Sequence, residues 1–265
     1  MLKTLWQVDF YKPPQPQNNP TWILLICKPS GELIHEATCP QAEAGVSWLV
    51  QQLQAIGEAP DIVRVFRPET YNLMDLATQQ LGWTLEATRH APALKEICRS
   101  RGLTADLIQS PPQALPDALW GEQWRFAAIV AQDIVSVFRD RPIPIVNIPS
   151  EFDPIQAGVA STTPIPGIII YGGRQSMQLA QWLVEQQPHG VNYIPTEPGQ
   201  SGGLVLETGL IDRWILATFE DAEVAQAALN YSERRTASLG IHFLLIQPDD
   251  SGMTDTGFWL LQGIN

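Results

Sequence analysis

The sequence contains few cysteines and few positive charges. Its three cysteines, Cys27, Cys39 and Cys98, are an odd number without C-x-x-C spacing, so neither a disulfide framework nor a zinc site is predicted. Lysine and arginine number 16 against 28 aspartates and glutamates, which gives a formal net charge of −12. This surplus of negative charge repels polyanions at long range. Any nucleic-acid site must therefore be a local cationic patch.

Long hydrophobic segments are also absent. No run approaches the ~18 apolar residues needed to cross a bilayer, and the first residues lack the apolar block of a signal peptide. The chain nevertheless has 265 residues, of which 45% are hydrophobic, enough to bury the cores of two ordinary domains. We therefore expect a soluble protein of a reducing compartment, with no membrane insertion.

Motifs for nucleophilic or metal catalysis are missing as well. The sequence has no H-E-x-x-H or D-x-D pattern, and its four histidines do not lie near a serine or cysteine motif. His242 lies in an apolar segment, which favours a buried structural histidine. These observations predict a non-enzymatic protein without a cofactor or a metal site.

The first hundred residues alternate between strand and helix patterns after an opening series of strands. The order β-β-β-α-β-α-β-α matches the ribonuclease-H-like topology, with the first three strands as an antiparallel meander. The predicted strands are 5–11, 21–28, 32–39, 62–66 and 83–88, and the predicted helices are 42–56, 68–80 and 92–101.

Nucleases of that topology place metal-binding carboxylates on the first strand and at the end of the fourth. Asp9 lies on the first strand here. The fourth strand, however, ends at Arg67, a guanidinium where a two-metal enzyme needs an anion. Glu69 follows at a predicted helix start, where an acid favours the helix dipole. A metal-dependent nuclease using Asp9 is therefore only the third alternative.

The remaining sequence predicts a second mixed α/β domain. We expect an N-terminal domain over 1–102, a proline-containing linker over 103–119 and a C-terminal domain over 120–265. The C-terminal domain closes with two apolar segments, 240–246 and 257–261, that read as strands separated by an acidic turn. Because chain ends fray unless a core holds them, Phe258, Trp259, Leu260 and Leu261 are either buried or a partner-binding surface.

Three separated blocks carry a family resemblance. They are LWQVDF near the start, WGEQWRF at 120–126 and GIHFLLIQPDD followed by GFWLL at the end. Together they resemble the Tab2/Atab2 family of RNA-binding proteins over almost the whole chain. The resemblance implies binding to messenger RNA, not DNA, in support of translation of photosystem reaction-centre subunits. Without a transit peptide, it further implies a cyanobacterial cytoplasmic member, with plastid relatives in the chloroplast stroma.

Three groups of residues are candidates for RNA contacts. Arg64, Arg67 and Arg89 follow the rim of the first sheet, where a cationic stripe would lie. The alternative for Arg67 is a surface ion pair with Glu69 or Asp75.

The other two groups are in the second domain. The turn Gly172-Gly173-Arg174 follows a strand and precedes a helix, so its amides and Arg174 suit an anion; the alternative is that glycine is needed for the turn alone. Arg213 and Trp214 combine a phosphate contact with a stacking ring, although a tryptophan in a strand is more often a core residue.

Two functional hypotheses therefore accompany RNA binding. One is a protein scaffold or assembly factor that docks a protein partner through residues 258–261. The other is the metal-dependent nuclease.

Overall fold

A computed structural model of the protein describes residues 4–13, 21–104, 107 and 109–263. The chain forms two compact units, Met1–Ile108 and Gln109–Asn265. Both units combine strands and helices, which confirms the mixed α/β class. The domain limits 1–102 and 120–265 stay a prediction. Among the described residues, no helix is both long and apolar enough to span a membrane.

The first unit has one five-stranded sheet in the order β3-β2-β1-β4-β5. Strands β1 to β3 are antiparallel, whereas β4 and β5 are parallel to β1. The element order is the one that the sequence pattern predicts; the name ribonuclease-H-like stays a prediction. The elements are β1 (Leu5–Tyr11), β2 (Thr21–Cys27), β3 (Leu33–Pro40), α1 (Val46–Ala55), β4 (Ile62–Val65), α2 (Pro68–Leu81), β5 (Thr84–Ala87) and α3 (Pro92–Ser100).

Local signals set the limits of the helix that follows β4. Helix α2 begins at Pro68, whose fixed φ suits the first helical position. It ends before Gly82, which has a φ of 70° in the left-handed region. The buried side of α2 carries Met74 and Ala77, and these residues join the core that contains Trp6 and Phe10. The carboxyl end of β4 therefore leads directly into a helix held against the sheet.

The second unit contains two further sheets. The sheet β10-β11-β12-β6 and the sheet β7-β9-β13-β14-β8 share one core with α5 and α6. The elements are β6 (Gln113–Ala114), β7 (Gln123–Val130), α4 (Ala131–Arg139), β8 (Ile145–Asn147), β9 (Pro164–Tyr171), α5 (Ser176–Gln186), β10 (Pro188–Glu197), β11 (Ser201–Thr208), β12 (Asp212–Phe219), α6 (Ala222–Ala237), β13 (Ile241–Gln247) and β14 (Gly257–Gln262).

The sheet β7-β9-β13-β14-β8 is covered on both faces. One face of β13 places Leu244 and Ile246 in the core shared with the other sheet. The opposite face places Phe243 and Leu245 against α4, whose Phe138 stacks on Phe258 with ring centroids 3.9 Å apart. A strand buried on both faces needs a continuous apolar sequence rather than an alternating one, which explains the runs in β9, β13 and β14.

Candidate nucleic-acid interface

Arg67 in the first unit lies at the carboxyl end of β4, as the sequence predicts, but it is buried. Its Nε donates to both carboxylate oxygens of Asp9, at 2.8 and 3.0 Å, and its Nη2 donates to the carbonyl of Thr104. The guanidinium lies over the Tyr11 ring, 4.0 Å from its centroid. Only 7% of Arg67 is exposed. The structure therefore corrects both interpretations of Arg67: it is not a free phosphate contact, and its partner is neither Glu69 nor Asp75.

The Asp9 carboxylate is occupied by protein donors. Besides Arg67, the Thr70 hydroxyl donates to Oδ1 at 3.0 Å, and the Cys98 thiol lies 3.8 Å from Oδ2. Burial raises the pKa of Asp9, while the charge of Arg67 and these hydrogen bonds oppose the rise. Among the described residues, no group of three or more histidine, cysteine or acidic side chains could hold a metal. The nuclease alternative thus lacks a ligand set around Asp9 in this part of the chain.

The other two rim arginines do not extend a cationic surface from Arg67. Arg64 forms a salt bridge with Glu86 at 2.9 Å between register partners of β4 and β5. Arg89 is buried, and its carbonyl accepts a hydrogen bond from Lys95 Nζ at 2.8 Å. The predicted stripe of three arginines does not form an exposed cationic surface, because Arg67 and Arg89 are buried and Arg64 is paired with Glu86.

The turn after β9 has the predicted strand-to-helix position, but its amides are already used. Gly172 N–H donates to Gln247 O at 2.9 Å, and Gly173 N–H donates to Pro248 O at 3.0 Å. Gly173 has a φ of 55°, which explains the glycine without any ligand. These two amides are not an anion site. Arg174 itself is exposed and forms no salt bridge with the residues that the structure describes.

Arg213 and Trp214 lie on β12. Trp214 is half-buried, donates from Nε1 to Thr208 Oγ1 at 3.1 Å and packs edge-on against Trp182, with centroids 5.3 Å apart. Arg213 is half-buried and stands opposite Glu207 in the ladder with β11. These contacts fit a packing role for Trp214, whereas the stacking role predicted for it stays a prediction because the residue is only half-buried.

The closing strand is part of the core. Phe258, Trp259, Leu260 and Leu261 are at most 1% exposed. Strand β14 is hydrogen-bonded to β13 on one side and to β8 on the other. Neither its faces nor its edges can receive another protein, so the predicted partner-binding surface is corrected to a structural strand.

A polar row that the sequence analysis did not identify crosses the sheet β7-β9-β13-β14-β8 at the carboxyl end of β9 and β13. Gln123, Tyr171 and Gln247 are neighbours in register on three adjacent strands. Arg125, on the same face of β7, lies 5.8 Å from the Tyr171 ring centroid. We call this end of the sheet the carboxyl edge.

A carboxylate and a second arginine extend the row. Gln247 Nε2 donates to Asp255 Oδ1 at 2.7 Å, and Arg141 donates to Asp255 Oδ2 at 2.8 Å. Gln247 is only 4% exposed, and its Oε1 accepts no hydrogen bond from the described part of the chain. The Asp255 carboxylate can only accept, so the Gln247 amide must turn its Nε2 towards Asp255. Its acceptor oxygen, Oε1, therefore points away from that carboxylate. The carboxyl edge thus combines two exposed arginines with an unused buried acceptor.

A cavity of about 210 Å³ opens on the other face of the same edge. Trp120 and Trp124 line it together with Glu122, Gln123 and Thr218. Trp120 Nε1 donates to Leu115 O at 3.2 Å, while 38% of the residue stays exposed. The sequence signal for this cavity was the WGEQWRF block, which the sequence analysis used for the resemblance and not for a site.

Comparison with known proteins identifies the family. A family model described as "RNA-binding protein Tab2/Atab2 N terminal" matches residues 5–101, and one described as "RNA-binding protein Tab2/Atab2, C-terminal domain" matches residues 103–262. The chain belongs to the Tab2/Atab2 family. The resemblance stated from the sequence blocks is thereby confirmed.

Two relatives of this Tab2/Atab2 chain come from plants. "Protein TAB2 homolog, chloroplastic" of Arabidopsis thaliana is 25% identical over 288 residues, covering 97% of this chain and 74% of the relative. The protein of the same name from Zea mays is 24% identical over 284 residues, covering 97% of this chain and 70% of the relative. These relatives are chloroplastic by name.

Solved structures similar to this Tab2/Atab2 chain cover a smaller part of it. The catalytic domain of Mos1 mariner transposase is 14% identical with a TM-score of 0.28, covering 38% of this chain and 60% of its own. The catalytic core domain of BIV integrase is 14% identical with a TM-score of 0.26, and the match covers 38% of this chain and 64% of the integrase domain. At these scores the likeness supports no statement about chemistry.

The blocks that carry the family resemblance have different positions in the Tab2/Atab2 fold. The first block lies in β1 and the last in β13 and β14, where the side chains are largely buried. The middle block, 120–126, runs along the beginning of the edge strand β7 and leaves Glu122, Gln123 and Arg125 exposed. It is therefore the block best placed to contact a ligand.

Proposed function

We propose that this protein binds RNA without catalysing a reaction, and that it supports translation of photosystem reaction-centre subunits. The observation that carries the proposal is the pair of RNA-binding family models, which together extend over both units. The names of the two plant relatives support a role in a photosynthetic compartment, and a cyanobacterial cytoplasm is the location proposed for this chain.

The carboxyl edge is the surface we propose for the RNA backbone. Arg125 and Arg174 are exposed and form no salt bridge within the described residues, while Arg141 is 46% exposed beside Asp255. An arginine with a free fork of donors suits phosphate oxygens. Such local cations are required here because the second unit carries 7 lysines and arginines against 17 acidic residues.

The polar row beside these arginines is buried. Gln247 and Tyr171 are 4% and 7% exposed, and Gln247 Oε1 has no partner in the described part of the chain. The accessible contacts proposed for the carboxyl edge are therefore those of its arginines with phosphate, and the preference for RNA over DNA is proposed from the family alone.

Filter binding of the full chain to labelled single-stranded RNA, repeated over a series of salt concentrations, tests the proposal. We expect the logarithm of the affinity to fall linearly with the logarithm of salt, with a slope of about −0.7 for each phosphate contact. The same strand made of DNA should bind more weakly. An absence of binding at low salt would contradict the proposed function. The translation role is tested separately, by sequencing the messenger RNAs that co-purify with the protein from a cyanobacterium.

A further inference from the structure

Arg141 follows α4 at the carboxyl edge, and its guanidinium is partly fixed by the protein. Its Nη1 donates to Asp255 Oδ2 at 2.8 Å, and its Cζ lies 5.3 Å from the centroid of the Phe138 ring. The side chain is nevertheless 46% exposed, and its Nε and Nη2 donate to no residue that the structure describes. The guanidinium is therefore oriented, while most of its N–H donors meet no acceptor in the described chain.

The Asp255 carboxylate is the group that orients this guanidinium. Its side chain is only 5% exposed, and its second oxygen, Oδ1, accepts from Gln247 Nε2 at 2.7 Å. The next residue, Thr256, donates its N–H to Ile246 O at 2.8 Å, which ties the chain at this point to the end of β13. Both oxygens of Asp255 are thus occupied, and the sheet gives Arg141 a fixed anchor.

This pair differs from the ion pairs that other exposed arginines form. The partners of Arg99 and Arg101 are Glu96 and Glu36, whose side chains are 73% and 44% exposed. Two long side chains that meet in solvent stabilise each other little. The carboxylate that holds Arg141 is buried instead, so the contact restricts the arginine without itself depending on a second exposed side chain. Groups that bind a ligand with defined geometry are supported in this way.

An oriented guanidinium with unused donors suits a phosphate group. Arginine presents its N–H groups in a planar fork that matches two phosphate oxygens at once. A side chain that is already ordered loses less rotamer freedom when it binds. Because the ion pair with Asp255 is neutral as a whole, long-range attraction of a polyanion comes from Arg125 and Arg174. Arg141 contributes only once a phosphate is in contact with it.

We infer, on the basis of the RNA binding proposed above, that Asp255 is a positioning residue, which holds Arg141 so that the free donors of its guanidinium bind one backbone phosphate. Asp255 itself does not contact the RNA. A carboxylate near a polyanion weakens binding by repulsion, so an acidic residue that only repels RNA should raise the affinity when it is neutralised. Neutralising a positioning residue should lower the affinity instead. The sign of the change therefore separates the two roles.

The test measures the affinity of the full chain for a labelled single-stranded RNA of mixed sequence at one low salt concentration. Asp255→Asn keeps an acceptor for Gln247 but removes the charge that holds Arg141. We expect the affinity to fall about two- to tenfold, the scale of ordering one long side chain on binding. Arg141→Lys keeps the positive charge without the planar fork and should lower the affinity by a similar factor.

Two further variants separate positioning from charge and from folding. Asp250→Asn is the matched control, since it removes an equal charge from an exposed position in the same loop, and it should leave the affinity unchanged or slightly higher. Asp255→Asn is also introduced into Arg141→Ala. There it should no longer lower the affinity, because no guanidinium remains to be held. A loss caused by misfolding would be the same in both backgrounds.

The outcomes distinguish this inference from the function on which it rests. If the unmodified chain binds RNA, an affinity of Asp255→Asn equal to or above that of the unmodified chain would overturn the positioning role. So would an equal loss in the Arg141→Ala background. If Asp255→Asn does not fold, an unchanged affinity in Arg141→Lys, at an exposed position, would overturn the role as well. An unmodified chain that binds no RNA at low salt would contradict the proposed function, and this inference with it.

Discussion

Arg67 and Asp9 form a buried ion pair that joins the end of β4 to the middle of β1 in the first unit. The two residues are 58 positions apart in sequence. The pair fills the position where the sequence had suggested either a phosphate-binding arginine or a metal-binding aspartate. Each residue satisfies the other, so the pair is a structural feature.

Removing one member of this pair should destabilise the first unit strongly. Arg67→Ala leaves the Asp9 carboxylate buried without its countercharge, which we expect to cost about 3–5 kcal/mol in the free energy of unfolding. Urea denaturation measures the change. Arg64→Ala is the control, because its bridge to the half-exposed Glu86 should contribute no more than about 1 kcal/mol. Equal losses in the two variants would contradict this account of Arg67.

The double replacement of the pair gives a sharper test. Arg67→Met combined with Asp9→Leu removes both charges and restores apolar contact with Phe66 and Tyr11. We expect this variant to recover most of the stability lost in Arg67→Ala, because well-packed apolar residues replace buried ion pairs at little cost. A double variant as unstable as Arg67→Ala would show that the pair itself, rather than an uncompensated charge, determines stability.

His242 should make the second unit sensitive to acid. Its Nδ1 donates to Gly240 O at 2.8 Å and its Nε2 accepts from Val191 N–H at 2.9 Å, which requires the neutral ring. Burial, together with the nearby charge of Arg235, lowers the pKa of His242 to about 3, against an ordinary value of 6.5. The unfolded chain therefore binds a proton at higher pH than the folded chain does.

Acid should therefore lower the free energy of unfolding of the second unit. The stability due to neutral His242 is fully present above about pH 6.5 and is lost as the pH falls towards about 3. The total loss is on the order of 5 kcal/mol. Denaturation of the protein with guanidinium chloride at several pH values should show the free energy of unfolding falling with pH. His242→Gln should remove this pH dependence. His35→Gln, in the other unit, is the control. A pH slope that is unchanged in His242→Gln would contradict the assignment.

Trp259 should be required for folding rather than for direct contact with a partner. Trp259→Ala removes a ring that is 1% exposed within the core shared by both sheets of the second unit. We expect a loss of about 3–5 kcal/mol, with any loss of ligand binding following the loss of folded protein. Circular dichroism and RNA binding measured on the same samples make the comparison. A well-folded Trp259→Ala protein without RNA affinity would contradict the packing role.

Local patterns were sufficient to predict much of the fold. Pro68 and Gly82 mark the two ends of α2, and the apolar runs around Leu244 and Leu260 predict the closing strands. The sequence did not reveal that Gln113 pairs with β12 inside the segment expected to be a linker. A two-residue strand leaves no periodic pattern, so only the folded sheet shows it.

The site was harder to predict because it depends on contacts between residues that are distant in sequence. Arg67 is typical of an exposed rim residue until Asp9 is brought beside it. Conversely, Arg125 and Gln247 carry no motif, and only the register of β7, β9 and β13 places them in one row. Charge partners and register are properties of the tertiary structure, which the local sequence does not encode.

The central claim is that RNA lies on the carboxyl edge, and the salt dependence of RNA binding tests it most directly. We expect Arg125→Ala combined with Arg174→Ala to reduce the magnitude of the salt slope by about one to two, since each arginine neutralises one phosphate. The control is Arg99→Ala combined with Arg101→Ala, which removes two exposed charges that pair with Glu96 and Glu36 in the first unit. A slope reduced only in the first variant is the predicted result. A slope unchanged in the first variant, or reduced equally in both, would contradict the claim.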